Sequence, residues 1–261
     1  MRALALALVA LALLPTPAAA ARIPLADARS ALDTLATLRG PGGGYDPGMA
    51  PLAVEAAAAL GIDPALWPSR ERSALAALRP AGNGTLLEQV RSIHARAVAG
   101  RGTPADAAAA EATFQEGQFG DIVLLNDDVW AIRALRALGT SASDAYLQAS
   151  ARRVASHQDP GGGWPWRIGG SPSVDVTGMA AVALVQAGAL PPEAAAAARG
   201  YLAARHNATT GGFSEHEAGG AANCDSTVWA VRGLHALGQP APPSALAYLA
   251  SLHQPDGGYA Y

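Results

Sequence analysis

Apolar and polar positions along the chain follow a helical period, and one pattern recurs. Trp130-Ala131-Ile132-Arg133-Ala134-Leu135-Arg136-Ala137-Leu138-Gly139 is repeated almost residue for residue from Trp229 to Gly238. Met179 to Gly188 is a third copy, and Leu52 to Gly61 a weaker fourth. The copies at Trp130, Met179 and Trp229 are apolar or small nearly all round, as in a helix buried on every side. Each copy stops at a glycine, which tolerates the left-handed conformation that closes helices. Other stretches, such as Asp144–His157, carry more Arg, Gln and Asp and read as half exposed. Further helices are predicted over Leu25–Leu38, Arg70–Leu78, Thr85–Ala99, Pro104–Phe114, Pro192–His206 and Pro243–His253. No stretch sustains period-two alternation, so the chain is predicted to be all-α and helix-only.

A second pattern is locked to the first. A turn of glycine and an aromatic precedes each of the four copies, at Gly43-Gly44-Tyr45, Gln118-Phe119-Gly120, Gly162-Gly163-Trp164 and Gly212-Phe213, and recurs at Gly257-Gly258-Tyr259. Outer helix, turn, inner helix is therefore the repeating unit, and such a period decides the fold. Inner and outer helices in alternation give a double ring, an α/α toroid of about five and a half repeats. A straight solenoid of helix pairs is the competing architecture, but no polar cap closes the carboxyl end. The turn aromatics Tyr45, Phe119, Trp164, Phe213 and Tyr259 are expected to wedge between repeats.

The turns also carry a resemblance. Arg199-Gly200-Tyr201-Leu202 followed by His206 and Gly212-Phe213 is similar to the "QW" repeat of squalene cyclases, with His for Gln and Phe for Trp. His157-Gln158-Asp159-Pro160-Gly161-Gly162-Gly163-Trp164 and Gln254-Pro255-Asp256-Gly257-Gly258-Tyr259 resemble it too. The chain thus resembles the terpenoid cyclase/protein prenyltransferase superfamily over most of its length. The resemblance implies an α/α toroid whose turn joins an outer helix to an inner one. It leaves activity open, because that superfamily holds enzymes as well as non-catalytic binders such as cobalamin carriers of the intrinsic factor type.

Candidate chemistry sits at the inner-helix starts. Asp175 stands four residues before Met179, Asp225 four before Trp229, and Asn126 four before Trp130, with Asp127 and Asp128 following. Ser173-Val174-Asp175-Val176-Thr177 and Asn223-Cys224-Asp225-Ser226-Thr227 share one form. Such residues serve as helix caps, and a carboxylate suits the positive end of a helix. The other reading is geometric. Parallel inner helices would gather their first turns at one mouth of the central cavity, where Asp128, Asp175 and Asp225 would form an acidic arc beside Thr177. Trp166, in the loop from Trp164 to Pro172, could reach a ligand there.

The resemblance sharpens and limits this. The acid motif of class II terpene cyclases is Asp-x-Asp-Asp-Thr. Asp175 falls on its central, proton-donating position and Thr177 matches, but Ser173 and Val176 replace the other two carboxylates. The zinc site of prenyltransferases is not reproduced: aligned on Trp229, its Cys falls on Asp225 and its Asp on Asn223, with Cys224 one position off. No metal and no resident cofactor is implied. His216, Glu215 and Glu217 read as a solvated loop, and Cys224 as a small buried filler.

Composition changes the picture in three places. The chain has 261 residues, a net charge of −3, one cysteine and no lysine. Its scattered arginines form no basic stripe, so nucleic acid is not an expected partner. Residues Met1–Ala21 read as a cleaved secretory signal, with Arg2, an apolar run and small residues at its end. That run is shorter than the roughly 20 residues of a membrane span. A single toroid domain over 22–261 is then expected to be secreted, periplasmic or at the cell surface. The expected function is non-catalytic binding of a small hydrophobic, cofactor-like or tetrapyrrole-like ligand at the toroid mouth. The alternatives are a terpene-cyclase-like enzyme with Asp175 as general acid, and a surface interaction scaffold. A full six-pair ring needs an inner helix after Gly257-Gly258-Tyr259. Without it, Val228, Val231, Leu234 and Leu237 would face a gap filled by another subunit or domain, unless the pair from Leu25 to Gly61 closes a smaller ring.

Overall fold

The computed structural model describes residues 25–37, 49–69, 73–79, 84–255 and 259. The signal expected at 1–21, the turn at Gly43–Tyr45 and the glycines at 257 and 258 lie outside the described residues. The described residues form ten helices: α1 (Leu25–Thr37), α2 (Ala50–Ala59), α3 (Leu86–Val98), α4 (Pro104–Glu111), α5 (Leu125–Ala137), α6 (Ala145–Ser156), α7 (Val174–Gln186), α8 (Pro192–Ala204), α9 (Cys224–Ala236) and α10 (Pro243–Ser251). The chain is mostly helical, with little strand.

Local chemistry explains the starts. Thr85 and Thr103 form reciprocal capping boxes with Glu88 and Asp106. Asp144, Ser173 and Asn223 each accept a first-turn backbone N–H. Proline occupies the first turn of α2, α4, α8 and α10, where its missing N–H costs nothing. Gly188 and Gly238 end α7 and α9 with φ of 62° and 73°.

Two expectations are corrected. The described part of Arg70–Leu78, residues 73–78, is a series of turns and not a helix, with Ala74 and Leu78 buried. A segment that short, bounded by Pro68 and Pro80, cannot repay helix nucleation. Nor is the chain helix-only. Three two-residue hairpins hold the turns: β1–β2 (Phe114–Gln115, Gln118–Phe119), β3–β4 (Trp164–Pro165, Pro172–Ser173) and β5–β6 (Phe213–Ser214, Ala222–Asn223). All three are antiparallel, with Phe119 opposite Phe114, Trp164 opposite Ser173 and Phe213 opposite Asn223. Ladders this short leave no periodicity to read.

The apolar helices pack in chain order, α2 on α3, α3 on α5, α5 on α7 and α7 on α9. One buried cluster holds Ala53, Val54 and Ala57 of α2 together with Val228, Val231 and Leu234 of α9. Val228, Val231 and Leu234 are at most 3 % exposed and Leu237 is half-buried, so among the described residues these side chains do not face the expected open gap. The amino-terminal helix pair shares the core of the carboxyl-terminal one, which hides these side chains.

Candidate functional site

Among the described residues, α2, α3, α5, α7 and α9 border two cavities. At one end, Leu52, Leu87, Asn126, Asp175 and Asp225 border a cavity of about 500 Å³. At the other, Ala59, Val98, Arg133, Gln186 and Arg232 border a cavity of about 310 Å³. The first set comes from amino-terminal halves and the second from the central and carboxyl-terminal parts of α2, α3, α5, α7 and α9. The five helices therefore run in the same direction.

The larger cavity has an apolar wall and an acidic edge. Trp130, Trp229, Met179, Val176, Leu52 and Leu87 supply the wall, and Trp166, 47 % exposed, stands at the mouth. Asp175 and Asp225 face each other's field there, with Glu215, His216, Arg91 and Asn126. Neither aspartate is the cap of its helix. Ser173 accepts the Val176 N–H at 3.3 Å and Asn223 accepts the Ser226 N–H at 2.8 Å. Among the described residues, Asp175 Oδ1 is buried without a hydrogen-bond partner. Burial pushes its carboxyl up to about 7; Asp225 and Glu215 push the same way, against Ser226 and His216. Asp225 is also raised, by burial and by Glu215, while Arg91 opposes.

Asp128 and Thr177 have a different place from the one expected. Both are fully buried, and neither lines the cavity. Asp128 accepts the Phe119 N–H at 2.9 Å, Thr177 the Trp164 N–H at 3.0 Å, and Thr227 the Phe213 N–H at 2.9 Å. In each repeat this residue latches the turn aromatic to the inner helix. The Thr177 and Thr227 hydroxyls pass their own protons to the carbonyls of Ser173 and Asn223, both at 2.6 Å. Asp128 instead accepts from Ser150 at 2.6 Å and pairs with Arg153 at 3.4 Å. Burial drives its carboxyl to about 6 despite these partners. The acidic arc is thus Asp175 and Asp225 with Asn126 as its third position. That agrees with the four-residue offset before each Trp or Met; Asp128 lies two positions further on.

The loop expected to be solvated bends over the cavity. His216 donates Nδ1–H toward the Pro172 carbonyl at 3.2 Å and sets Nε2 3.3 Å from Glu215. Val174 N–H binds the Glu215 carbonyl at 2.9 Å, which fixes the loop to the start of α7. Cys224 is fully buried, and burial pushes its thiol far up, so no thiolate forms at neutral pH. Among the described residues no three His, Cys, Asp or Glu side chains are placed to hold a metal ion. Among them, too, no helix is long and apolar enough to cross a membrane.

Trp130 and Trp229 meet edge to face at 6.3 Å, and both line the larger cavity and not the smaller. Arg133 stacks 4.1 Å from the Trp130 centroid and 5.4 Å from that of Trp229; Arg232 lies 4.7 Å over Trp229. These arginines were not singled out from the sequence. Their signal was there: each stands three residues after the Trp of the repeated signature, a charge in an otherwise apolar helix. Compared with known protein families and with curated proteins, the chain matches none.

Proposed function

We propose that the chain is an α/α toroid of the terpenoid cyclase/prenyltransferase class that binds a small hydrophobic molecule at its amino-end cavity without transforming it. The ligand class is an apolar body with a basic nitrogen. The observation that carries this is Asp175, whose unpartnered Oδ1 borders a cavity walled by Trp130, Trp229 and Met179. A protonated amine would complete the hydrogen bonding of Asp175 and offset its repulsion with Asp225 and Glu215. The helix order and the two shared cavities support the toroid. The mature protein is exported after loss of residues 1–21, which amino-terminal sequencing of the secreted form would check.

A second reading, protonation of an alkene by Asp175, is favoured by the carboxyl's rise to about 7. Two observations weigh against it. Ser173 is committed to capping and Val176 is apolar, so neither supports a proton donor. Cyclisation also needs aromatic faces to stabilise a carbocation. Arg91, which lines the cavity, lies 5.2 Å from the Trp130 centroid, and Arg133 and Arg232 stack on Trp130 and Trp229, so the rings a carbocation would need are already engaged by cations.

Tryptophan fluorescence titration with N,N-dimethyldodecylamine, against dodecanol as the uncharged control, tests the binding reading. The amine should bind at least about tenfold more tightly, as expected for a charge-assisted contact, and Asp175→Asn should remove the difference. Equal binding of amine and alcohol would defeat the head-group assignment. Cyclised product from a polyprene incubated with wild type, lost in Asp175→Asn, would replace binding with catalysis.

A further inference from the structure

The carboxyl-end cavity is a second site with the opposite character. Four ionisable side chains on four helices meet there: Glu55 on α2, His94 on α3, Arg133 on α5 and Arg232 on α9. Arg133 is only 1 % exposed, one of the largest fully buried side chains of the protein. Its neighbours explain how the charge is tolerated: Glu55, with His94 Nδ1 2.9 Å from Glu55 Oε1, and the two indole faces. They do not satisfy its donors. Among the described residues, Arg133 Nε and Nη1 are buried with no hydrogen-bond partner. A buried guanidinium with open donors normally has an anion or ordered water against it.

The charge count says which sign is missing. Burial alone would raise Glu55, but His94, Arg133 and Arg232 outweigh it and hold the carboxyl at about 2, so it is ionised. Burial and the two arginines lower His94 against the pull of Glu55, which leaves the imidazole neutral and donating Nδ1–H. Burial and Arg232 bring Arg133 down to about 9, still charged at neutral pH. Two guanidinium groups against one carboxylate leave one positive charge uncompensated on the cavity floor. The rim is formed by Ala59, Val98 and Gln186, all exposed, and Arg232 is partly exposed, so the cavity opens to solvent on that side.

We propose that this cavity binds a small organic monocarboxylate, held by the guanidinium groups of Arg133 and Arg232 with its apolar part against Ala58, Ala59 and Val98. One negative charge neutralises the site, and a carboxylate matches the planar fork of a guanidinium. A dianion would overshoot the charge next to Glu55. The cavity of about 310 Å³ takes an acid of a few carbons and not a long lipid. The site is distinct from the proposed amine site: the two cavities share no lining residue, and Trp130 and Trp229 border only the larger one.

Calorimetric titration of the full chain with sodium butyrate at fixed ionic strength tests this, with 1-butanol and inorganic phosphate as comparison probes. Butyrate should bind saturably, and butanol and phosphate at least about tenfold more weakly. Arg133→Met and the partly exposed Arg232→Gln should each weaken butyrate by about tenfold or more. Glu55→Gln, which removes the competing carboxylate, should tighten it. Binding in this cavity should persist when N,N-dimethyldodecylamine saturates the protein and in Asp175→Asn, which separates its fate from that of the amine site. Absence of saturable butyrate binding would overturn the proposal. So would binding unchanged in folded Arg232→Gln, or phosphate matching butyrate.

Discussion

Gly178 lies so close to Trp229 that a Cβ on the glycine would fall 2.2 Å from the tryptophan carbonyl oxygen. The contact is with backbone, which cannot swing aside, and a Cβ on Gly233 would likewise meet Gly178 Cα at 2.7 Å. This mutual approach fixes α7 on α9 and with it the spacing of Asp175 and Asp225. Gly178→Ala is expected to destabilise the protein by about 1–3 kcal/mol through overpacking, net of the gain in helix propensity. Urea unfolding followed by tryptophan emission should show an earlier midpoint; an unchanged midpoint would mean that the helices separate freely.

The turn latches make a second prediction. Thr177→Val keeps shape but leaves the buried Trp164 N–H without an acceptor. The expected loss is about 1–3 kcal/mol, with Thr177→Ser restoring most of it. Thr227→Val should behave alike through Phe213. If Val and Ser variants unfold at the same urea concentration, the latch contributes nothing.

Asp175 sets a pH dependence. Its folded value of about 7 lies above the unfolded 3.8, so between them the folded protein keeps a proton that the unfolded chain has lost. Stability therefore falls as pH rises through that window, by about 1.4 kcal/mol per unit at most, and is flat above it. Asp175→Asn should flatten this slope and, after allowance for partial exposure, stabilise the protein at pH 8 by about 1–3 kcal/mol. Ser173→Ala, which removes the actual cap, should instead cost about 0.5–2 kcal/mol at any pH. Thermal melts across pH 4–8 compare the two; a stabilising effect of Asp175→Asn confined to low pH would reverse the assignment.

Glu55 acts in the opposite sense. Its value is held at about 2, below the usual 4.5, so its contribution is complete above 4.5 and disappears as pH falls toward 2. Glu55→Gln leaves Arg133 and Arg232 without a counter-charge and should cost about 3–5 kcal/mol in anion-free buffer near neutrality. Denaturant titration at pH 7 and pH 3 checks this: the deficit relative to wild type should shrink at the lower pH. A deficit equal at both would mean that the carboxylate charge is not what matters.

Much of this architecture could be read from residues alone, for identifiable reasons. Repeated Trp-Ala-x-Arg segments marked the buried helices because burial on all sides leaves a composition signal. Asp175 and Asp225 were found from their offset to Met179 and Trp229, since a fixed helical register puts equivalent residues at equivalent heights. Asp128 was misplaced because acidity was followed instead of register: it stands where the other repeats have threonine. The hairpins were missed because two-residue ladders have no period. The Glu55–His94–Arg133–Arg232 group was missed because its members are far apart in sequence, and only the packing of α2, α3, α5 and α9 assembles them.

The common direction of α2, α3, α5, α7 and α9 has an electrical consequence. Aligned helix dipoles add, leaving partial positive charge at the end that holds Asp175 and Asp225 and partial negative charge at the end that holds Arg133 and Arg232. The side-chain charges form two plates of opposite polarity to that backbone field, like a charged capacitor set against a battery. The molecule is thereby left with a smaller dipole moment than its parallel helices alone would give.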